Sequence, residues 1–483
     1  MLAVKIDRDR LEYDIHALLT SFFPGEEVKI ASPNSDINGK DELLAAPFME
    51  IVLEESEQRI IFDPKGKEPK SYAIASGRDK QLFKGELYRV LKEETGKSLP
   101  WGNLTGIRPA KMVMGMLDQG KGIQEAEWFL RESHFVSKEK AALTVEIAKR
   151  EQEILKPISG EEGYSLYIGI PFCPTTCLYC SFTSYPAASY RKVMDTYVDC
   201  LCREMDYVAD ALKNKRLDTV YIGGGTPTTL SPRLLDQVIS HLKEKFPMEN
   251  VLEFTVEAGR ADSITKEKLQ VLKKHGVTRI SVNPQTMKEE TLHLIGRQHT
   301  VEQVKEAFAL AREEGFDNIN MDIILGLPGE DEEDVVYTIE EIKKLSPDSL
   351  TVHSLAVKRA SRLGKLLREG EKAASLNTEN TVKIAENGAR DMGMAPYYLY
   401  RQKNMSGNFE NVGYAKPGKY GIYNILIMEE VQTIIALGAG SISKRVYPDG
   451  RIERCENIKD VSLYIEKTDE MIERKKALLQ DIC

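Results

Sequence analysis

Three cysteines, Cys173, Cys177 and Cys180, stand in a C-x3-C-x2-C spacing. Thiolates are soft ligands, and three of them on one short loop suit a transition-metal centre; a cubane iron–sulfur cluster takes one cysteine per iron. Three cysteines therefore leave one of the four irons without a protein ligand. Such an iron can take a small molecule and pass it an electron. A structural zinc site wants four ligands, and the nearest histidine, His134, lies far upstream. Core packing is a poor account of three cysteines within eight residues of a chain that has seven in all.

Other residues have types suited to holding a ligand. In the run from Gly223 to Thr228, GGGTPT, glycines let the backbone approach a ligand and leave N–H and C=O groups free to bond it. Glu257, in FTVEAGR, can accept hydrogen bonds from hydroxyls. Arg297, in IGRQHT, can pair with a carboxylate in a bidentate way, and Asp322, in NINMD, can hold hydroxyl or ammonium groups. Taken singly each has a plainer reading, since a glycine run is often a turn and a strand-end glutamate is often solvated.

The elements that must position these residues repeat. YSLYIGI, LDTVYIG, VLEFTVEA, VTRISVN, NINMDIIL and DSLTVHS read as strands separated by helical segments, a parallel βα array. In parallel α/β folds ligands gather at the C-terminal ends of strands, and the cysteines, the glycine run and Glu257 all fall there. Upstream, LAVKI, an amphipathic LEYDIHALLTSFF and a hairpin of MEIVLEE with QRIIFD predict a small α/β unit followed by helices. A linker at Lys156–Gly160 sets the boundaries: 1–158 as an N-terminal α/β and helical domain, 159–365 as the βα array, and 366–483 as a small C-terminal α+β region.

With 483 residues, 42% of them hydrophobic and 29% charged, the chain is globular and long enough for two or three domains. A net charge of -9 argues against general nucleic-acid affinity, and no run approaches membrane-spanning length. The N-terminus does not read as a secretory signal, and the scattered Cys200, Cys202, Cys455 and Cys483 read as reduced thiols. The expectation is a soluble, cytoplasmic protein.

The cysteine stretch resembles the radical S-adenosylmethionine (SAM) superfamily. LYIGIPFC followed by LYCSF is similar more narrowly to the oxygen-independent coproporphyrinogen III oxidases, and TGIRP after PWG to their HemZ-type coproporphyrinogen dehydrogenase branch. The resemblance implies a partial (β/α)6 barrel and a 4Fe–4S cluster on Cys173, Cys177 and Cys180, whose open iron chelates SAM. It implies SAM contacts at Tyr167, Gly224, Gly225, Thr226 and Glu257. The order and spacing of Gln285, Arg297, Asp322 and Ala356 match the residues that hold a second SAM or a cosubstrate, so one SAM site is expected and a second is allowed. The implied reaction starts with reductive cleavage of SAM to a 5'-deoxyadenosyl radical. That radical takes a hydrogen atom from the β-carbon of a propionate of coproporphyrinogen III; carbon dioxide leaves, an electron acceptor removes the surplus electron, and two such rounds give protoporphyrinogen IX.

The implied partners are the tetrapyrrole, or haem, and an electron donor such as flavodoxin or ferredoxin. Two departures stand out: Gly169 where many relatives carry histidine, and Phe182 where well-studied oxidases carry a fourth cysteine. Phe182 is also consistent with a branch that carries haem, and another branch alkylates and opens haem. The stretch from Tyr397 to Tyr414, with Arg401, Lys403, Asn404 and Asn408, is expected to be an exposed loop that holds the tetrapyrrole propionates.

Overall fold

The computed structural model describes every residue except 10, 34–46, 55–56, 65–67, 76–78, 107, 359, 370–376, 403–407 and 481–483. Its contacts divide the chain into two compact units, Met1–Glu146 with Gly407–Phe409, and Ile147–Ser406 with Glu410–Cys483. The division falls earlier than the predicted boundary at 158, and the strands of the predicted C-terminal region fall in the same unit as the predicted barrel.

In the first unit β1 (Leu2–Ile6), β2 (Val28–Ala31), β3 (Met49–Glu54), β4 (Glu57–Phe62) and β5 (Lys70–Ala73) form a sheet in the order β2-β1-β3-β4-β5. The predicted hairpin is present, with Met49 opposite Phe62. Alternate residues of β1 and β3 pack with Ile15, Leu19, Phe22, Phe83 and Leu87 from helices Glu12–Phe22 and Lys80–Thr95. The second helix starts where Asp79 accepts from the amides of Gln81 and Leu82, and stops at Gly96, whose φ of 68° closes it.

The second unit contains β6 (Gly163–Ile170), the short β7 (Phe172–Cys173) and β8 (Tyr185–Pro186), then β9 (Arg216–Gly224), β10 (Glu253–Glu257), β11 (Arg279–Ser281), β12 (Ile319–Leu325) and β13 (Ser349–Ser354). β14 (Ala395–Tyr400), β15 (Asn411–Ala415), β16 (Thr433–Leu437), β17 (Ile442–Val446) and β18 (Ile452–Glu456) complete it. Eleven of these strands form one sheet, β14-β15-β13-β12-β11-β10-β9-β6-β16-β17-β18. The six predicted strand runs are β6 and β9 to β13, and they pair parallel. This is the radical SAM barrel arrangement expected from the sequence. Helices Met194–Ala211, Pro232–Lys245, Lys266–Lys274, Val301–Glu313 and Glu332–Leu345 make the crossovers. Four of them begin at side-chain caps, Ser231, Thr265, Thr300 and Asp331, so the chain restarts a helix at a set point after β9, β10, β11 and β12.

β16, from the C-terminal region, joins the sheet parallel to β6, with Tyr167 opposite Ala436. One sequence expectation needs correction. The described ends of the tyrosine-rich segment are not an exposed loop: Tyr397–Leu399 are buried in β14 and Asn411, Val412 and Tyr414 in β15, which pairs antiparallel with it. A tyrosine ring is largely apolar, and at strand spacing it packs as core with its hydroxyl bonded; Tyr397 accepts from Asn424 at 3.4 Å. Among the described residues, no helix is long and apolar enough to cross a membrane.

Candidate functional site

The inner face of the barrel sheet is polar at every second residue. Arg279, Ser281 and Asn283 follow one line, Asn320 and Asp322 a second, Thr351 and His353 a third, Tyr398, Tyr400 and Gln402 a fourth, and all border one cavity of about 410 Å³. A strand turns alternate side chains to the same face, so a parallel sheet with helices outside can hold an apolar outer layer and a polar chamber. Hydrogen bonds join these lines. Arg279 donates to Ser349 Oγ at 3.0 Å, Ser349 to Asn320 Oδ1 at 3.0 Å, and Asn320 Nδ2 to Asp322 Oδ1 at 2.6 Å. His353 Nε2 lies 3.8 Å from Asp322, and its Nδ1 lies 3.4 Å from the Tyr400 hydroxyl. Burial alone would raise the Asp322 carboxyl, but His353, Asn320 and Thr351 outweigh it and hold it below the usual carboxylate value.

Cys173, Cys177 and Cys180 border the same cavity, on the loop between β7 and β8. That loop is tied down. The Leu178 amide donates to Ile295 O at 2.9 Å, the Leu363 amide to Leu178 O at 2.9 Å, and Thr175 Oγ1 to Gly296 O at 2.8 Å. Burial pushes the Cys173 thiol up to about 11, against a hydrogen bond from Thr226 Oγ1 at 3.6 Å. Arg260, 3% exposed, directs Nη1 at Cys177 Sγ, 3.8 Å away, and is braced by Asp262 at 2.6 Å. Among the described residues, no three His, Cys, Asp or Glu side chains converge as ligands of a single ion. Cysteines that each bind a different iron have no need to converge so closely.

Gly224, Gly225, Thr226, Glu257, Gln285, Arg297, Asp322 and Ala356 all lie on the cavity wall. Gly224 has a φ of 110°, which favours glycine. A Cβ on Gly225 would sit 2.7 Å from Phe172 O and 3.0 Å from Cys173 Sγ, so this glycine makes room for the cysteine strand before any ligand. Glu257 accepts from the Tyr221 hydroxyl; burial, with the Asp322 charge behind it, pushes its carboxyl up to about 7 against that bond and one from the Gly224 amide. Gln285 is held at a φ of 71° by its amide bond to Asp322 O and by the Ile324 amide on its own carbonyl, both 2.9 Å. Arg297 donates to Asn283 O, and despite burial its guanidinium is raised by Tyr179 and Cys177.

Tyr167 is the candidate outside this set. Its ring packs behind the wall, stacked at 6.1 Å on Tyr221 and at 6.1 Å on Tyr423. Arg401 is 6% exposed and not on the wall, and burial pulls it down to about 10 against the attraction of Glu410. Lys403 and Asn404 lie outside the described residues, and Asn408 belongs to the first unit. The cations on the cavity wall are instead Arg260, Arg279, Arg297 and Lys358. Sequence reading passed over Arg260 and Arg279, although polar residues two apart within RISVN, NINMD and SLTVHS mark a face that is not core.

Residues 167–342 match the Radical SAM superfamily. Over 398 residues the chain is 41% identical to the oxygen-independent coproporphyrinogen-III oxidase-like protein HemZ of Bacillus subtilis, covering 81% of this chain and 79% of that protein. The chain belongs to the HemZ-type branch of the radical SAM coproporphyrinogen oxidase family. It is also 29% identical to the heme chaperone HemW of Escherichia coli, over 60% of this chain and 72% of that one. The solved structure of coproporphyrinogen III oxidase (HemN) from Escherichia coli shares the fold, with a TM-score of 0.53 at 21% identity over 66% of this chain and 73% of that chain.

Membership implies a 4Fe–4S cluster and SAM, and the chamber fits both. It offers three thiols on its border. Arg279 Nε, Ser281 Oγ, Asn283 Oδ1, Gln285 Oε1 and Arg297 Nε, of residues on the same wall, are buried side-chain atoms without a protein partner. Buried polar groups are normally paired, so these atoms are available to a polar ligand.

Proposed function

We propose that the chain oxidatively decarboxylates two propionates of coproporphyrinogen III to vinyl groups, giving protoporphyrinogen IX. Each propionate loses a hydrogen atom and carbon dioxide, and the surplus electron passes to an external one-electron acceptor. The observation that carries this reading is the shared chamber, in which cysteine thiols and unpartnered polar groups border one cavity. A chamber that brings a metal-binding loop and a polar ligand wall together suits chemistry on a bound molecule more than surface carriage. Cys173, Cys177 and Cys180 would hold the cluster, and Gly224, Thr226 and Glu257 the SAM beside it. Together these cofactors supply one-electron cleavage chemistry and the hydrogen abstraction that follows.

The remaining tasks fall to the chain. Arg297 and Gln285, at the unpartnered wall, bind and orient a carboxylate-bearing ligand; Asp322, fixed by Asn320 and His353, accepts from its hydroxyl or ammonium groups. Tyr398 and Tyr400, on the wall, shield the ligand from water. An external low-potential carrier such as a ferredoxin or flavodoxin would supply electrons.

A second reading, a haem carrier, is favoured by Phe182, which is 77% exposed on the cavity border and offers an apolar face to a flat macrocycle. Anaerobic incubation of reconstituted protein with SAM, dithionite and coproporphyrinogen III, beside a haem titration, separates the two. Carbon dioxide and vinyl-bearing product are expected; stoichiometric haem binding with no product would make the protein a carrier.

A further inference from the structure

We propose that Arg260 sets the reduction potential of the cluster by bonding the sulfur of one of its ligands, Cys177. This rests on the assignment of Cys177 as a ligand made above. Arg260 follows β10 and is fixed on three sides. Its Nε and Nη2 form a fork with Asp262 Oδ1 and Oδ2 at 3.0 and 2.6 Å, and its carbonyl accepts from Ser263 Oγ at 2.7 Å. Nη1 is thereby directed at the cysteine loop, 3.0 Å from Thr175 Oγ1, 3.4 Å from Thr175 O and 3.8 Å from Cys177 Sγ. A guanidinium 3% exposed is not placed for solubility, and a planar fork with one edge on a carboxylate leaves its other edge pointing in a set direction.

Reduction adds one electron from an external donor, and with it one negative charge shared by iron and the ligand sulfurs. A donor N–H on a ligand sulfur, carried by a cation in a site of low dielectric, stabilises the more negative state and so raises the potential. Asp262 acts in the opposite sense, because its carboxylate offsets part of the charge of Arg260. The two residues therefore carry opposite signs: Arg260→Met lowers the potential and Asp262→Asn raises it. A general loosening of the loop would not produce a pair of opposite shifts.

The test is a potentiometric titration of the reconstituted full-length protein with dithionite and mediators, read by electron paramagnetic resonance of the reduced cluster. In Arg260→Met the ratio of reduced to oxidised cluster at a fixed potential should fall at least tenfold, which is 59 mV for one electron. Arg260→Lys, which keeps charge and loses the fork, should fall between that variant and the parent. A parental potential in Arg260→Met with full iron content, or shifts of one sign in Arg260→Met and Asp262→Asn, would overturn the proposal. Should Arg260→Met not retain iron, Asp262→Asn decides alone: a raised potential supports the role, and an unchanged or lowered one overturns it. Undiminished iron in Cys177→Ala would overturn the ligand assignment, and the inference with it.

Discussion

At the scale of single residues, the chamber is built from groups that a plain core would not favour. Gln285 is the clearest case, a non-glycine residue at positive φ whose Oε1 has no protein partner. Glu257 makes the same point through its proton. Its carboxyl, raised to about 7 chiefly by burial, binds a proton in the folded chain over a range in which the unfolded chain has released it. Stability from this group is therefore fully present below the ordinary glutamate value and is lost as pH rises through about 7. Glu257→Gln keeps an acceptor for Tyr221 without the charge. Urea unfolding of ligand-free protein at pH 5 and pH 8 should show the variant gaining on the parent by on the order of 2 kcal/mol, reduced from the full shift because the carboxyl borders the cavity. An equal difference at both pH values would mean a solvated carboxyl. SAM affinity should fall in the same variant.

At the scale of elements, the turn after β9 and the loop after β7 form one device. The Gly225 amide donates to Ile170 O at 2.8 Å and the Thr226 amide to Phe172 O at 2.7 Å, so GGGTPT grips the strand that delivers Cys173. Gly225→Ala places a methyl against backbone rather than against a flexible side chain. It should cost about 1–3 kcal/mol and lower the iron retained on reconstitution. Full iron with only SAM binding lost would return Gly225 to a simple ligand contact.

The six barrel strands were legible because each is a short apolar run between helical stretches, and the cysteines because spacing alone restricts their chemistry. The partner of β6 was not legible: β16 lies more than 260 residues downstream, and neither its run IIAL nor the preceding helix states which strand it joins. Tyr397 to Tyr400 misled for a related reason. Composition suggests binding, but packing decides it: Tyr398 and Tyr400 border the chamber, while Tyr397, next to a register shift in β14, is buried with its ring 4.9 Å from that of Tyr398. The roles of Arg260 and Arg279 depend on partners distant in sequence, which no local pattern records.

At the scale of the whole second unit, a buried ion pair outside the chamber wall ties C-terminal elements to the barrel. Glu204, in helix Met194–Ala211, and Lys475, in helix Thr468–Leu479, have no exposed side-chain surface and meet at 2.5 Å. Asn457, Tyr464 and the Gly438 amide complete the bonds of Glu204 at 2.7, 2.7 and 2.8 Å. Gly438 has a φ of 92°, and a Cβ there would lie 2.4 Å from Gly169 O, which also accepts from Tyr197. The pair thus holds the turn after β16 against β6, four residues before Cys173. These bonds add to the pairing of β16 with β6, which puts the C-terminal strands in the barrel sheet. Removing one partner leaves a buried charge uncompensated, so Lys475→Met should lose about 3–5 kcal/mol, whereas Glu204→Gln with Lys475→Met should recover part of that loss. Chemical unfolding of the parent, both single variants and the double variant checks this. Additive losses would mean that the groups do not act as a pair, and parental iron retention in Lys475→Met would mean that the turn after β16 does not position the cysteine loop.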